Sequence, residues 1–475
     1  DLIWIKDRTD TNNHDNNLIT SIIGAPNILM SNSNVSEITN STDGLTAITD
    51  TGFTLGANTA GTQSYELNKN NNNYIAWTWK AGGSSNTFNV DGVGYANASD
   101  VNMTAGALNS VAYNTSNWVS KTTVSNLYGS HSINSIFNGQ YGHIHGTQGN
   151  TLTLSWVPGT IKGRVRLLLR NAGSPGNHQY KVHGGTTQSI SNVSSSRGWF
   201  DLGDVDLTHY YAPHPSSGNA AMIEAIELDG KMLIDSSQTP QDMPTMVPTG
   251  CSVGTKQGFS IIKHTGTGNT GSLPHGLTKT PEFIITKVYS GGTGNWNVYF
   301  NFIYGSNDYL YLNSTQSKGD SSLHPALPTV FYFGYTSNSY IHYLWHSVPG
   351  LQKFGTYKGN SNANGPFIEC GFRPAAVLLK KINNTDTNSG WHWYDNKRNT
   401  SNPANNFVLA SHPYYENRAA NNTATVSSFT VDFLSNGFRL SHSSNNLNTA
   451  GSDYIYAAWA EAPTDNLYGA MSSAR

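Results

Sequence analysis

Near the end of the chain, Tyr454-Ile455-Tyr456-Ala457-Ala458-Trp459-Ala460 alternates large and small residues at period two, the pattern of a half-buried β-strand. Two earlier stretches open on the same Tyr-Ile pair: Tyr74-Ile75-Ala76-Trp77-Thr78-Trp79 and Tyr340-Ile341-His342-Tyr343-Leu344-Trp345. Each runs into an exit rich in Gly or Pro, so each reads as the closing strand of a unit. Upstream of them lie Phe53-Thr54-Leu55-Gly56, Phe331-Tyr332-Phe333-Gly334 and Phe438-Arg439-Leu440. Further upstream come apolar runs carrying a lysine: Leu2-Ile3-Trp4-Ile5-Lys6, Phe283-Ile284-Ile285-Thr286-Lys287 and Val377-Leu378-Leu379-Lys380-Lys381. The last two sets also share an opening strand with a glycine turn, Phe259-Ser260-Ile261-Ile262 with Gly266 and Lys353-Phe354-Gly355-Thr356-Tyr357 with Gly359. Anchors recurring in one order predict three related units. The first has no opening strand, so the chain is expected to continue a longer polypeptide.

The composition points the same way. Charged residues make up only 12% of the chain and aromatic residues 11%, the reverse of a disordered sequence. Asn, Ser and Thr supply the polarity, and 47 glycines serve turns, which suits an all-β protein. A net charge of -2 provides no basic footprint for nucleic acid, and no polybasic patch invites an anionic membrane. No apolar run is long enough for a membrane-spanning helix, and Asp1-Leu2-Ile3-Trp4 lacks the features of a signal peptide. Two cysteines, Cys251 and Cys370, make no disulfide framework, and Cys370 reads as a small buried residue.

The resulting organisation is serial β-sandwich (jelly-roll-like) units with a distinct β-sandwich inserted between the first and second. Residues 1–82 form the first unit, ending in the flexible linker Ala81-Gly82-Gly83-Ser84-Ser85. Residues 83–250 form the inserted domain, 251–350 the second unit, 351–464 the third, and 465–475 a polar tail. The inserted block contains the strongest local signal in the chain, the hairpin Ile226-Glu227-Leu228-Asp229-Gly230-Lys231-Met232-Leu233-Ile234, where Asp-Gly between alternating apolar residues favours a tight turn.

These anchors resemble a repeat domain found in structural proteins of tailed bacteriophages, marine cyanophages especially. Lys353-Phe354-Gly355-Thr356-Tyr357-Lys358-Gly359-Asn360, Gly371-Phe372-Arg373-Pro374-Ala375 and Phe433-Leu434-Ser435-Asn436-Gly437-Phe438 carry the likeness, and the 226–235 hairpin is similar to a segment common in the same proteins. The first and third units match well. The second matches more loosely, with Tyr343-Leu344-Trp345 breaking the small-aromatic alternation. The resemblance implies a non-enzymatic virion structural protein, a tail fibre or surface appendage contributing to host attachment. It also implies a homo-oligomer, expected as a trimer, contacts with other tail or capsid proteins, and a host polysaccharide as receptor. Capsid decoration or tail scaffolding, and a secreted carbohydrate-binding or glycan-active protein, are the competing readings.

Motifs for chemistry are sparse, and no cofactor is expected. No Ca²⁺ loop, phosphate loop or nucleophile elbow is present. His143-Ile144-His145 places two imidazoles on one face of a strand, which is metal-ligand spacing. Glu224 and Glu227, or Asp204 and Asp206, are the carboxylate pairs a glycosidase would need, but a solvated or turn role suits them better. Trp77 and Trp79 share a strand face and read as core or interface. Trp391 and Trp393 stand mid-unit as ligand candidates. Tyr210 and Tyr211, after His209 on a Pro/His-rich stretch read as the loop Thr208–Pro215, are the ligand candidates that the position favours.

Overall fold

The structure, a computed structural model, describes residues 1–39, 43–49, 52–58, 65–101, 103, 113–229, 231–235, 244–300, 308–320, 326–327, 330–333, 336–383, 389–418, 429–443 and 446–461. The polar tail lies outside them. The chain is all-β: strands are joined by turns and by two short 3-10 segments, Ala98–Val101 and Ile133–Ile136. Among the described residues no helix is long and apolar enough to cross a membrane.

Each Tyr-Ile strand pairs antiparallel with its lysine-bearing run in an identical register. Ile75 faces Lys6, Ile341 faces Lys287, and Ile455 faces Lys380. Outward from the lysine strands, all three sheets continue alike. The first adds Asn16–Thr20 and Asn27–Met30, the second Asn297–Phe300 and Asp308–Tyr311, the third His392–Asp395 and Val408–Leu409. On the other side, the closing strands of the second and third sheets are flanked by the opening strands Phe259–Thr265 and Gln352–Lys358. In the first sheet Tyr74–Trp79 is the last strand.

Alternation gives each sheet two apolar faces, and each face is covered differently. One face carries a small private layer, which makes the unit a sandwich. In the third sheet, for example, Val377, Leu379 and Tyr456 meet Ile368, Phe433 and Phe438 of the three-stranded sheet Phe367–Glu369, Gly437–Leu440, Val431–Leu434. The opposite faces of all three sheets meet one another in a single core containing Leu2, Trp4, Phe283, Ile285, Leu378 and Ile455. The units expected in series are therefore gathered around a common centre. Its middle is tryptophan: Trp393 stacks on Trp77 at 4.9 Å and lies 5.4 Å from Trp4 and 5.2 Å from Trp459, which in turn reaches Trp345 at 6.3 Å.

Hydrogen bonds close the arrangement into a ring. At the start of the strand that pairs with the lysine run, each sheet presents a side-chain N–H donor to its neighbour. Asn16 Nδ2 donates to the Leu409 and His412 carbonyls at 3.0 and 2.7 Å, joining first sheet to third. Trp391 Nε1 donates to Tyr311 O at 2.9 Å, joining third to second. Trp296 Nε1 donates to Met30 O at 2.8 Å and Ser33 O at 3.1 Å, joining second to first. The three lysines lie on this same face, fully buried. Each ammonium end meets backbone carbonyls instead of an acid: Lys6 meets His14 and Pro413, Lys287 meets Gly294, and Lys380 meets Thr315 and Ser389. Burial lowers Lys6 to about 8 and Lys287 and Lys380 to about 7.

The inserted domain is built on Ile161–Ala172, Gly198–His214 and Ala220–Leu228, with the predicted hairpin closing between Leu228 and Lys231 and Asp229 at a φ of 51°. Its core includes Leu152, Leu167, Phe200, Tyr210 and Ile226. The first strands of the 83–250 block go elsewhere. Phe88–Val90 runs parallel to Gly250–Gly254, and with Val93–Tyr95 it extends the second sheet. The glycine linker read as flexible is packed beneath them. Gly82 N donates to Ser252 Oγ at 2.9 Å, and a Cβ on Gly82 would meet Val253 N at 2.4 Å, so only glycine permits this approach. Cys251 and Cys370 are buried free thiols, both pushed up to about 12 by burial.

Two predictions follow from the shared centre. Trp393→Ala should cost about 3–5 kcal/mol in urea unfolding, shifting one transition for the ring as a whole; an early transition confined to one unit, with the rest unmoved, would contradict a shared core. The second concerns pH. Each lysine's folded pKa lies below its unfolded value of about 10.4, so between those values the unfolded chain binds more protons and stability rises with pH. The urea midpoint of the wild type relative to Lys380→Met should therefore increase from pH 7 to pH 9, and a difference independent of pH would refute the buried-lysine account.

Candidate functional site

Most residues the sequence offers as ligand contacts are structural. Tyr210 belongs to the long strand Gly198–His214, not to a loop: Thr208, Tyr210, Ala212 and His214 are buried at period two, and a register shift beside Thr208 turns Leu207 inward as well. It is paired on both edges, Tyr210 opposite Leu154 and Tyr180. Its hydroxyl is fully buried against His178 Nδ1, whose Nε2 meets Asn171 Oδ1 at 2.8 Å, and burial raises the phenol well above its ordinary value. Tyr211 points the other way, half-buried and stacked on His209 with ring centres 5.9 Å apart. Trp391 and Trp393 are core residues of the ring, 1% and 0% exposed. Glu224 and Glu227 are buried, not solvated. Glu227 takes a bidentate pair of 2.7 Å bonds from Arg166, and Glu224 pairs with Arg170 and Arg197.

What the fold brings together lies at the end of the first closing strand. A groove of 380 Å³ opens where the three sheets meet, within the size range of small-molecule sites. Trp77 and Trp79 line it from the first sheet, Gln257 from the second, and Trp459 and Asn396 from the third. Trp79 is half-buried and packs edge-on to Trp459 at 5.4 Å, leaving part of its indole at the groove. Asn396 Oδ1 and the indole nitrogens of Trp77 and Trp459 are buried with no hydrogen-bond partner among the described residues. Lys397 and Glu461 form an exposed ion pair at 2.5 Å on the rim. Apolar ring faces beside unfilled donors and acceptors can stack on a flat, hydroxylated ligand and bond its hydroxyls.

A second cluster lies on the inserted domain. His143 and His145 are joined by His131, and one ring nitrogen of each lies within 4.8 Å of the others. The sequence supplies the pair but hides the third member, which arrives from a separate loop. His145 Nδ1 lies 2.9 Å from the Gly146 carbonyl, the His131 ring bonds to the His143 backbone, and Arg170 Nη2 lies 3.0 Å from His143 Nδ1. Burial, then the Arg170 charge, lowers His143 to about 4, so its imidazole is neutral near pH 7. A comparable group, Asp7, Asp10 and His14, is already engaged, with Lys69 on Asp10 and Asn72 on both acids.

A domain family of unknown function, DUF7483, matches residues 1–141 and 236–463. The chain belongs to this family. The match takes in all three ring sheets and skips 142–235, the stretch that holds most strands of the inserted domain together with His143 and His145. No curated protein and no solved structure matches the chain.

The two tyrosines should separate cleanly on substitution. Tyr210→Phe strands the buried His178 nitrogen and should cost about 1–3 kcal/mol in urea unfolding, whereas Tyr211→Phe should stay within about 0.5 kcal/mol. Equal losses at both positions would contradict the inward placement of Tyr210.

Proposed function

We propose that the chain is a non-enzymatic structural protein of a tailed-phage virion, a tail fibre or surface appendage, that binds host-surface glycan in the groove between the three sheets. The observation that carries the binding role is the groove itself, with the half-buried Trp79 indole beside the unpartnered Asn396 Oδ1. Sugar rings present apolar faces edged by hydroxyls, which this pairing complements. The engagement of Glu224 and Glu227 by arginines supports binding over hydrolysis, since a glycosidase needs one carboxylic acid and one carboxylate facing a shared cleft. The resemblance of the anchor segments to phage structural repeats supports the virion setting. Assembly as a homo-oligomer, expected as a trimer, would strengthen weak single sites through multivalency.

A second reading, scaffold without receptor, has its own observation. The flank of the first closing strand corresponds to the lane that opening strands fill in the second and third sheets. A strand from a neighbouring virion protein would extend the sheet there by main-chain hydrogen bonds.

The deciding experiment is adsorption competition on host cells with the labelled whole chain, alongside its mass in solution. Binding that blocks phage attachment, and that falls at least about tenfold in Trp79→Ala as one stacked ring is lost with its avidity, is the expected result. No binding to any host strain, with the wild type folded, would replace the receptor reading by the scaffold one.

A further inference from the structure

We propose that His131, His143 and His145 form a binding site for a divalent transition-metal ion of the zinc, nickel or copper class, separate from the groove. Three ring nitrogens within 4.8 Å of one another already approach a coordination sphere. An ion with bonds of about 2.0–2.1 Å would draw them closer by side-chain rotation alone. The ring centres stand 4.5 Å apart for His131 and His145 and 5.2 Å for His131 and His143. All three rings are half-buried, so the site is reachable from solvent.

The surroundings orient the ligands. A proton on Nδ1 of His145 donates to the Gly146 carbonyl and leaves Nε2 bare for a metal, the usual outer-shell device for a ligating imidazole. The His131 ring is held in the same manner by the His143 backbone. His143 is the contested ligand. Arg170 Nη2 occupies its Nδ1, and an ion at either ring nitrogen requires that arginine to let go. Arg170 has somewhere to stay, because its Nε remains on Glu224, which Arg197 also holds. Two arginines against one glutamate leave the neighbourhood positive, which opposes any cation, so the ligand set, three imidazoles and no carboxylate, decides which metal is held. Imidazole ligands select the metals named above.

The site would act as a staple. His131 follows Tyr128, whose N–H donates to His145 O at 3.1 Å, and the backbone of the His143–His145 segment is bridged to the sheet through Ile144 and Ile223. An ion shared by the three rings would tie this segment together across the eleven residues between His131 and His143.

The test uses the whole chain, stripped with chelator and titrated with ZnCl₂ or NiCl₂ by calorimetry, with Co²⁺ absorption reporting nitrogen coordination. The expected result is one ion per chain, a raised thermal midpoint, and binding weakened at least about tenfold in His131→Asn and His145→Asn, while His209→Asn binds as wild type. His131 sits on a loop outside the core, so His131→Asn decides the matter even where His145→Asn fails to fold. No saturable binding, or binding unchanged in His131→Asn, would overturn the proposal.

Discussion

A twisted sheet with apolar side chains on both faces needs two covers, and in this protein the second cover of each ring sheet is the other two sheets. That mutual burial is the constraint from which the remaining features derive. Trp4, Trp77, Trp345, Trp393 and Trp459 converge because each occupies an inward position on its strand, at the centre where the faces meet. Because one core joins the facing sides of all three sheets, the units are not beads on a string.

The buried lysines mark the edge of that centre. A charged ammonium is expensive to bury, and backbone carbonyls, joined for Lys6 by the nearby charges of Asp7, Asp15 and Asp10, offset only part of that cost. The lowered pKa values express this tension. The identical register, lysine opposite isoleucine in every sheet, places each amine where a carbonyl from its own loop is within reach. For Lys6 and Lys380 a carbonyl of the neighbouring unit is within reach as well. With the Asn16, Trp296 and Trp391 donors, the lysines satisfy carbonyls that the packing of three sheets would otherwise bury unpaired. Specific polar bonds of this kind fix how the sheets sit around the core, which apolar contact alone leaves loosely defined.

The groove is a product of the same ring. Among the described residues the groove lies along the first closing strand, where Trp77 and Trp79 line it. This puts an aromatic side chain that belongs to the core on one side at the edge of a cleft on the other. Asn396 reaches the same cleft because Asn396 N is held on Ala375 O of the third sheet.

Much of this was legible in the chain itself. Alternation at period two is a local property, so the closing strands, the lysine runs, the 226–234 hairpin and the buried character of Cys370 could all be read directly. The errors have a common cause. Tyr210 reads as part of a loop because His, Tyr and Pro crowd its neighbourhood, although Tyr210, Ala212 and His214 share one face at period two. Phe88 and Val93 were assigned to the inserted block because chain order does not reveal a parallel pairing with Gly250–Gly254. His131 and Asn396 carry no local signal, and the alternation that marks Trp79 as core or interface does not show which neighbours it meets, since the partners lie on other loops and other sheets. The sequence by itself determined which residues form strands and which side chains face inward, because those follow from the pleat and from turn chemistry. Only the tertiary structure decided what covers each inward face, and with it the shared tryptophan core, the histidine triad and the groove, because the partner of a buried face is set by contacts between residues hundreds of positions apart.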